Sequence, residues 1–435
     1  MYSLLKLIVG LSIRLYYTKV KIKNRQYLVD EGPVIIIANH PNTLMDAWMI
    51  GHVCKQPIHY MAKSSFFSSP LKKRLLNSLN MIPINRKSDG NVEGISNSDS
   101  FEACYKILEE GKTLVIFPEG SSFQERKLRE LKSGAARIAL EAERRNGGKL
   151  TLKIIPVGIY YSQAEKFRSS VMLTVGQSIG VTELVPEFQT NSSLAAKKLT
   201  EKFRIHLERV LVTAENEDQE AMIETLFQLL RKKEEALNVE KGAEFMQSIK
   251  RNVEEIQLIA PYKIAEIQQL IKTVKWQQEK LAIQADFVSR RFRSRLYIMQ
   301  ICLSILFLLF GFPLFLFGFI HNAIPYKLTD YLVPKMTKYV EYYAAMNILL
   351  ALVFYPLTYF CFVEIFTTLF HPVFFVKLIY LFSLPFSGLY AHSFLYYFKR
   401  IGQKWHYIFL IFKQKEALKE LQENKKSLEK LISFY

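Results

Sequence analysis

Residues 33–46 decide the fold, and they read PVIIIANHPNTLMD. The β-branched run at the start of this stretch is typical of a buried strand. His40 follows the run directly, and Asp46 comes after five further residues. Regular helical geometry would set these two side chains about 120° apart around the axis, at about 100° per residue. A contact between them therefore requires a turn, which Pro41 and Asn42 can supply.

Five more short apolar runs follow this strand. They are residues 58–62, 81–85, 113–117, 152–160 and 171–175. The segments before the third and fourth of these runs have the apolar spacing of amphipathic helices and end in glycine. Short strands that alternate with amphipathic helices predict an α/β fold in which helices cover a sheet. We expect this α/β domain to span residues 23–215.

The next part of the chain, residues 216–297, is rich in Glu, Gln, Lys and Leu. Its apolar residues recur at helical spacing, as in Ile223, Leu226 and Leu230. A long coiled coil is the alternative interpretation, but the heptads are not sustained. We therefore predict an α-helical extension after the α/β domain.

The C-terminal region, residues 298–435, contains three long apolar stretches. Residues 299–320 carry no formal charge, residues 344–370 carry one acid, and residues 373–398 carry one lysine near their start. A helix of about 20 apolar residues can cross a hydrocarbon core of about 30 Å. The region therefore predicts C-terminal transmembrane helices followed by a basic tail.

The placement of Lys and Arg predicts the orientation in the membrane. An Arg-rich run at 290–295 precedes the first stretch, and the tail after Phe398 is rich in Lys. The positive-inside rule puts both on the cytoplasmic side, which requires an even number of crossings. We therefore expect the last two stretches to include a re-entrant or interfacial segment, with Pro356, Pro372 and Pro385 as candidates to break or kink them. The α/β domain of this integral membrane protein is then expected on the cytoplasmic face.

The N-terminal segment, residues 1–22, is apolar but interrupted by Lys6 and Arg14. A signal peptide is the alternative, but this charge pattern and the lack of a small-residue cleavage site argue against it. We predict an interfacial amphipathic helix, with the two cations on the headgroup side.

The composition limits the class of protein. The 32 Phe and 50% hydrophobic residues exclude a disordered chain, and four widely spaced Cys exclude a disulfide scaffold and give no metal-ligand spacing. The 58 Lys and Arg exceed the 40 Asp and Glu, for a net charge of +18. Such an excess favours nucleic acid, acidic small molecules or an anionic membrane surface as partner. The chain has no recognisable nucleic-acid-binding motif, and nucleic acid would leave the apolar stretches unexplained, so we expect membrane lipids instead.

Two further segments at strand ends carry candidate ligand-binding residues. Arg86 comes directly after the strand at 81–85, and Arg binds phosphate bidentately. The sequence FPEGSS begins at residue 117 and places Glu119, Gly120 and Ser121 at the carboxyl end of a strand, where open α/β sheets bind ligands. A solvated Arg and an ordinary turn are the alternatives.

A fifth candidate ligand-binding residue, Lys132, begins a predicted helix whose first residues read KSGAA. The small residues leave backbone N–H groups accessible, and Lys132 adds positive charge. An anion is therefore expected to bind there.

Four of these segments, in this order, resemble the phospholipid/glycerol acyltransferase family. Its blocks are an NH-x4-D box, a strand that ends in Arg, an FPEG box and a V/I-P-V block. Here they are Asn39-His40…Asp46, Ile84-Asn85-Arg86, Phe117-Pro118-Glu119-Gly120 and Ile155-Pro156-Val157-Gly158. The resemblance covers about residues 30–180, close to the whole α/β domain.

The sequence departs from the family pattern at two places. Five residues rather than four separate His40 from Asp46, as in the fungal-type glycerol-3-phosphate and dihydroxyacetone-phosphate acyltransferases. Those enzymes also have the Leu-Lys-x-Gly helix that Lys132 belongs to here. The second departure is Ser122, where many lysophosphatidate acyltransferases carry Arg. One phosphate ligand of that subgroup is therefore missing, and Arg86 and Lys132 would have to compensate.

The resemblance implies both a reaction and the roles of the residues. His40 would take a proton from an acceptor hydroxyl that attacks an acyl thioester, and Asp46 would orient His40. Arg86 and Lys132 would hold the acceptor's phosphate, and Glu119 would position its hydroxyl.

The implied donor is acyl-coenzyme A or acyl-carrier protein, and the implied acceptor is glycerol 3-phosphate or its 1-acyl derivative. No metal or redox cofactor is required. A membrane scaffold or lipid transporter with an inactive acyltransferase-like domain is the alternative.

Overall fold

The computed structural model describes residues 2–28, 31–85, 96–214, 216–232, 234–235, 238–289 and 294–433. The chain forms two compact units. The first comprises Met1–Glu220 together with Tyr339–Ala345, and the second comprises Ala221–Lys338 and Met346–Tyr435.

The first unit is an α/β domain. Its strands are β1 (Lys19–Lys23), β2 (Val34–Ala38), β3 (Ile58–Lys63), β4 (Met81–Ile84), β5 (Thr113–Ile116), β6 (Lys153–Tyr161), β7 (Ser170–Val175) and β8 (Ile179–Gly180). Its helices are α1 (Tyr2–Tyr16), α2 (Leu44–Val53), α3 (Pro70–Ser78), α4 (Asn97–Glu109), α5 (Gly134–Arg145), α6 (Val185–Thr190) and α7 (Ser192–Val210).

The strands form one mixed sheet in the order β1-β7-β6-β2-β5-β3-β4, and β8 pairs with β6. All strand pairs are parallel except β6–β7 and β6–β8, which are antiparallel. The central strand β2 lies between β5 and β6, and Ile36 pairs with Val115 on one side and Ile155 on the other. All five residues of β2 are buried, which explains its unbroken apolar sequence.

The two faces of the sheet are covered by different helices. Parallel crossover connections are almost always right-handed, so α2 and α3 lie on one face and α4 and α5 on the other. The main core forms on the second face, where Ile35 and Ile37 of β2 pack with residues of α4, α5 and α7. Helix α1 packs against α2 and therefore lies on the first face.

The predicted α/β class is confirmed, and the six predicted strands correspond to β2 through β7. Strands β1 and β8 were not predicted. The helix predicted over residues 1–22 ends at Tyr16, because the residues that follow it form β1 and pair with β7 at the edge of the sheet. Strand β1 was not predicted because its sequence KVKIK is too polar to indicate a buried strand. Its hydrogen bonds come from β7, which lies about 150 residues away in the chain.

The second unit is helical. Helix α8 (Glu217–Leu230) begins in the first unit and continues into the second. The helices that follow are α9 (Val239–Ile259), α10 (Tyr262–Lys280), α11 (Ala285–Val288), α12 (Ser294–Met336), α13 (Tyr343–Phe370), α14 (Phe374–Lys413) and α15 (Lys415–Ser433). Among the described residues, three helical segments are long and apolar enough to cross a membrane: Ile298–Met336, Val340–Phe370 and Phe374–Lys413.

Two of the three prolines that the sequence offered as candidates to break or kink the apolar stretches do not break their helices. Pro356 lies inside α13 and Pro385 inside α14, and only Pro372 falls in the short connection between them. Long apolar helices tolerate proline where neighbouring groups satisfy the freed backbone. Buried polar side chains also join the helices: Asn322 of α12 donates to the Leu384 carbonyl at 3.2 Å and accepts from the Tyr359 hydroxyl at 2.6 Å.

Candidate active site

A tight turn between β2 and α2 brings His40 and Asp46 together. Thr43 lies immediately before α2 and has φ of 43°, an uncommon value for a residue with a side chain. The turn leaves Asp46 in the first turn of α2, fully buried. His40 Nδ1 and Asp46 Oδ2 are 2.9 Å apart, so the non-helical turn that the spacing requires is present.

Asp46 accepts hydrogen bonds from three donors. In addition to His40, the backbone N–H of Asn42 donates to Oδ2 at 2.7 Å and the Tyr161 hydroxyl donates to Oδ1 at 2.8 Å. Burial raises the pKa of Tyr161 well above its usual range, so the phenol remains a donor. Because an ionised carboxylate only accepts, this network assigns the ring hydrogen of His40 to Nδ1 and leaves Nε2 as the acceptor.

The FPEG turn packs directly on His40. The Phe117 ring stacks on the imidazole with centroids 3.9 Å apart and an interplanar angle of 10°. Glu119 accepts from the backbone N–H of His40 at 3.2 Å and from that of Arg129 at 3.3 Å. Burial raises the pKa of Glu119, and the two backbone donors oppose that rise. Glu119 therefore ties the His40 turn to the loop that follows the FPEG box.

Ser122 also stabilises the His40 turn through hydrogen bonds to its backbone. Its hydroxyl donates to the His40 carbonyl at 2.6 Å and accepts from the Thr43 N–H at 3.0 Å. The Thr43 hydroxyl in turn donates to the Glu341 carbonyl at 2.9 Å, within the same unit. From the sequence, Ser122 was seen only as the absence of a phosphate ligand, because a lone Ser gives no signal of a bridging role.

Gly120 and Lys132 lie against each other. Gly120 has φ of +75°, and its N–H donates to the Phe117 carbonyl at 3.0 Å to close the turn. A Cβ at Gly120 would come within 2.6 Å of Lys132 Nζ and 2.8 Å of its Cε. The backbone N–H of Lys132 donates to the Pro118 carbonyl at 2.8 Å, which holds the start of α5 against the turn. Ser121 is half-buried in the same turn.

The structure therefore groups most of the candidate residues. His40, Asp46 and Glu119 share one hydrogen-bonded network, and Gly120 links Lys132 to it. Arg86 lies outside the described residues. Tyr161 was missed by the sequence analysis, because the strand predicted over 152–160 ends one residue before it and contributed no candidate site residue.

A cavity of about 250 Å³ is lined by residues of this network. His40 and Glu119 contribute to its wall, together with Arg126 and residues 159–165. Arg126 also lies over the Tyr160 ring at 5.6 Å, so the wall combines a cation with aromatic surface. Glu119, Glu125 and Glu165 line the cavity together with Arg126 and Lys127, so its wall carries both signs of charge.

Comparison with known proteins finds relatives of the α/β unit. Residues 19–160 match the sequence profile of the family described as Acyltransferase. A stretch of 114 residues is 31% identical to glycerol-3-phosphate O-acyltransferase 2 of Saccharomyces cerevisiae, covering 25% of this chain and 15% of the yeast protein. Another, of 127 residues, is 28% identical to a 1-acyl-sn-glycerol-3-phosphate acyltransferase of Chlamydomonas reinhardtii, covering 29% and 36% of the two chains.

Over residues 19–160 the α/β domain is therefore similar to the acyltransferase family. The match spans only 15% and 18% of the two yeast glycerol-3-phosphate O-acyltransferases. A solved structure, the 1-acyl-sn-glycerophosphate acyltransferase PlsC of Thermotoga maritima, aligns with 47% of this chain and 78% of its own at 19% identity and a TM-score of 0.34.

Proposed function

We propose that this protein is an O-acyltransferase of glycerophospholipid synthesis. It moves a fatty acyl group from an acyl thioester to a hydroxyl of glycerol 3-phosphate or of 1-acylglycerol 3-phosphate. The observation that carries the proposal is the hydrogen bond between His40 Nδ1 and the buried Asp46 carboxylate, which leaves Nε2 as a base beside a cavity.

The proposed reaction is a direct transfer. His40 Nε2 takes the proton of the acceptor hydroxyl as its oxygen attacks the thioester carbonyl carbon. The Asp46 carboxylate stabilises the imidazolium that forms. When the tetrahedral intermediate collapses, the C–S bond breaks, and the imidazolium returns the proton to the leaving thiolate. General-base assistance of this kind contributes about 10² to 10⁴ in rate.

The other candidate residues are proposed to hold the acceptor. Lys132 and Arg86 supply positive charge for its phosphate, while Gly120 and Ser121 form the turn along which it lies. Glu119 uses one lone pair on each oxygen for a backbone N–H, and a carboxylate has further acceptor capacity with which to orient a substrate hydroxyl. The scheme uses no metal or redox cofactor.

The choice of acceptor and of donor belongs to the proposal. The five-residue spacing between His40 and Asp46 favours glycerol 3-phosphate, and the yeast relatives are named for that acceptor. The algal relative is named for the 1-acyl form. Acyl-coenzyme A and acyl-carrier protein both provide the thioester that the reaction needs.

The apolar helices support a membrane location. Three helical segments of suitable length and hydropathy, and the lipid product of the proposed reaction, favour a location in a bilayer. We propose that the α/β unit faces the cytoplasm, because the basic segments that flank the apolar region favour that side.

The test is thiol release by purified protein in lipid nanodiscs. Each donor is combined with each acceptor, and the wild type is compared with His40→Ala. The matched control is His206→Ala on α7, whose ring bonds only to the nearby Lys202 carbonyl among the described contacts. We expect thiol release in wild type and control, and its loss in His40→Ala.

Two results would contradict this scheme. Unchanged turnover in His40→Ala would sink the mechanism. Absence of transfer to either acceptor from either donor, with a folded wild-type protein, would favour the inactive scaffold or lipid transporter.

A further inference from the structure

Helix α3 (Pro70–Ser78) is formed although none of its residues is buried. Leu71 is 79% exposed and Leu75 is 47% exposed. A nine-residue helix is marginal in water, and most helices in proteins are stabilised by packing an apolar face. Helix α3 instead starts from local signals: Pro70 at its first position, and the Ser69 side chain accepting from the Lys72 N–H at 3.3 Å. Its apolar face thus has no core to cover.

The exposed leucines form one face with cations on both sides. At about 100° per residue, Leu71 and Leu75 lie about 40° apart. Lys72 lies on one flank of this face, about 100° from Leu71, and Arg74 on the other, about 60° away. Long basic side chains flanking an apolar stripe are the arrangement of helices that lie in the plane of a membrane surface.

The segment around α3 contains no acidic residue. Between Asp46 and Asp89 the sequence has no Asp or Glu and seven Lys and Arg. The N-terminal 29 residues show the same bias, with six Lys and Arg and no acid. These two stretches contribute much of the net charge of +18.

The helices of the two stretches, α1 and α3, lie on the same face of the sheet. The right-handed crossovers put α3 on the face of α2, and α1 packs on α2. Helix α1 also exposes leucines, including Leu4 at 61% and Leu7 at 69%. The opposite face carries both signs of charge in pairs, such as Arg145 with Glu102 at 2.5 Å.

We propose that α3 docks on the surface of an anionic bilayer. Leu71 and Leu75 enter the boundary between headgroups and acyl chains, and the flanking Lys72 and Arg74 lie among the lipid phosphates. A lipid surface is chosen over a protein partner because it matches three consecutive cations in an acid-free segment and an apolar stripe only two side chains wide. Each cation near such a surface strengthens attachment about fivefold.

Helix α3 leads through two residues into β4, the strand at the edge of the sheet. The docking itself rests on the surface chemistry of α3 and not on the proposed acyl transfer.

The test uses a fluorescent label on the full-length chain in nanodiscs. Cys302→Ser and Cys361→Ser remove the exposed thiols, and the two remaining cysteines are buried. Leu75→Cys is then labelled with an environment-sensitive dye. The matched control is Leu194→Cys on α7, which is 43% exposed and lies on the opposite face. Lipids with a quencher near the top of the acyl chain report insertion of the dye.

We expect quenching of the Leu75 label in discs of phosphatidylcholine and phosphatidylglycerol, and none of the Leu194 label. The double variant Lys72→Ala, Arg74→Ala should weaken docking about 25-fold, and about 1 M salt should act in the same direction. In discs of phosphatidylcholine alone the quenching should be much weaker.

Four results would each overturn the docking proposal. They are equal quenching at both labelled sites, quenching independent of lipid charge, a Leu75 label already shielded in detergent, and shielding that depends on the number of protein copies per disc. The last two would indicate that protein covers α3. None of these readouts depends on catalysis, so failure of the proposed acyl transfer would leave them interpretable.

Discussion

Tyr161 and Asp46, 115 residues apart in the chain, meet through a hydrogen bond of 2.8 Å from the phenol to Oδ1. Both residues are buried, and His40 and the Asn42 N–H engage the other oxygen. The two ends of the carboxylate are therefore held by different elements: the turn after β2, and the last residue of β6. This double attachment fixes the plane in which Asp46 presents Oδ2 to His40.

We expect Tyr161→Phe to lower kcat by about 5- to 30-fold, with little change in KM. The variant keeps the ring but leaves a buried carboxylate oxygen without a donor, at a cost of about 1–2 kcal/mol. Steady-state thiol release measures the effect. Tyr105→Phe is the control, because it removes the hydroxyl of another buried tyrosine in the core against α5. Equal kcat in both variants would show that the phenol does not support His40.

Asp46→Asn is expected to be more damaging than Tyr161→Phe. The amide offers one acceptor oxygen, whereas the carboxylate serves three donors. The NH₂ group must then face a donor or force His40 into the tautomer that lacks a base at Nε2. We expect a fall in kcat of at least about 10²-fold, by analogy with the roughly 10⁴-fold loss when the acid of a Ser-His-Asp triad is changed to its amide.

The control for this variant is Asp99→Asn, an exposed acid in the first turn of α4. Its turnover should match wild type. A rate for Asp46→Asn within about threefold of wild type would contradict the orienting role, since even one lost charge-assisted hydrogen bond is worth more.

The local parts of this site were predictable from the sequence. The turn between His40 and Asp46 followed from the angular mismatch of their spacing on a helix. The position of Glu119 followed from a strand that ends in Pro and Gly. In both cases the information lies within about seven consecutive residues, so local backbone geometry decides the outcome.

The long-range parts were not predictable. Tyr161 reaches Asp46 only because β6 lies beside β2, and Ser122 reaches His40 only because β5 lies on the other side of β2. Strand β1 likewise depends on β7 as its partner. A single sequence carries no signal for which distant strands become neighbours, because tertiary packing overrides local propensity.

The burial of Glu119 should appear in the pH dependence of stability. A raised pKa means that the folded protein binds this proton more tightly than the unfolded chain does. Its charge therefore opposes folding above that pKa, and the penalty disappears as the pH falls through it. Glu119→Gln has no charge at any pH, but it loses one backbone hydrogen bond at all pH values. We expect its melting temperature, relative to wild type, to rise as the pH increases above the usual carboxyl range.

Glu102→Gln is the control for this measurement. Its hydrogen bond with Arg145 lowers the pKa of Glu102, so its stabilising charge is lost only below the usual carboxyl range. The difference from wild type should stay constant over the same interval. The melting temperatures are measured by thermal unfolding in detergent. If the difference between Glu119→Gln and wild type also does not change with pH, the raised pKa of Glu119 is refuted.

Alanine variants of Gly120 and Gly111 distinguish two effects: the strain of a left-handed backbone and the displacement of the Lys132 side chain. Their φ angles are +75° and +70°, so alanine at either position should cost about 1–2 kcal/mol and lower the melting temperature similarly. Only at Gly120 does the new methyl group meet Lys132, whereas nothing lies within 4 Å at Gly111. We expect Gly120→Ala alone to raise KM for the phosphorylated acceptor about tenfold. In a Lys132→Ala background the same change should have no further effect on KM, and an unaltered KM in the single variant would remove Lys132 from the acceptor site.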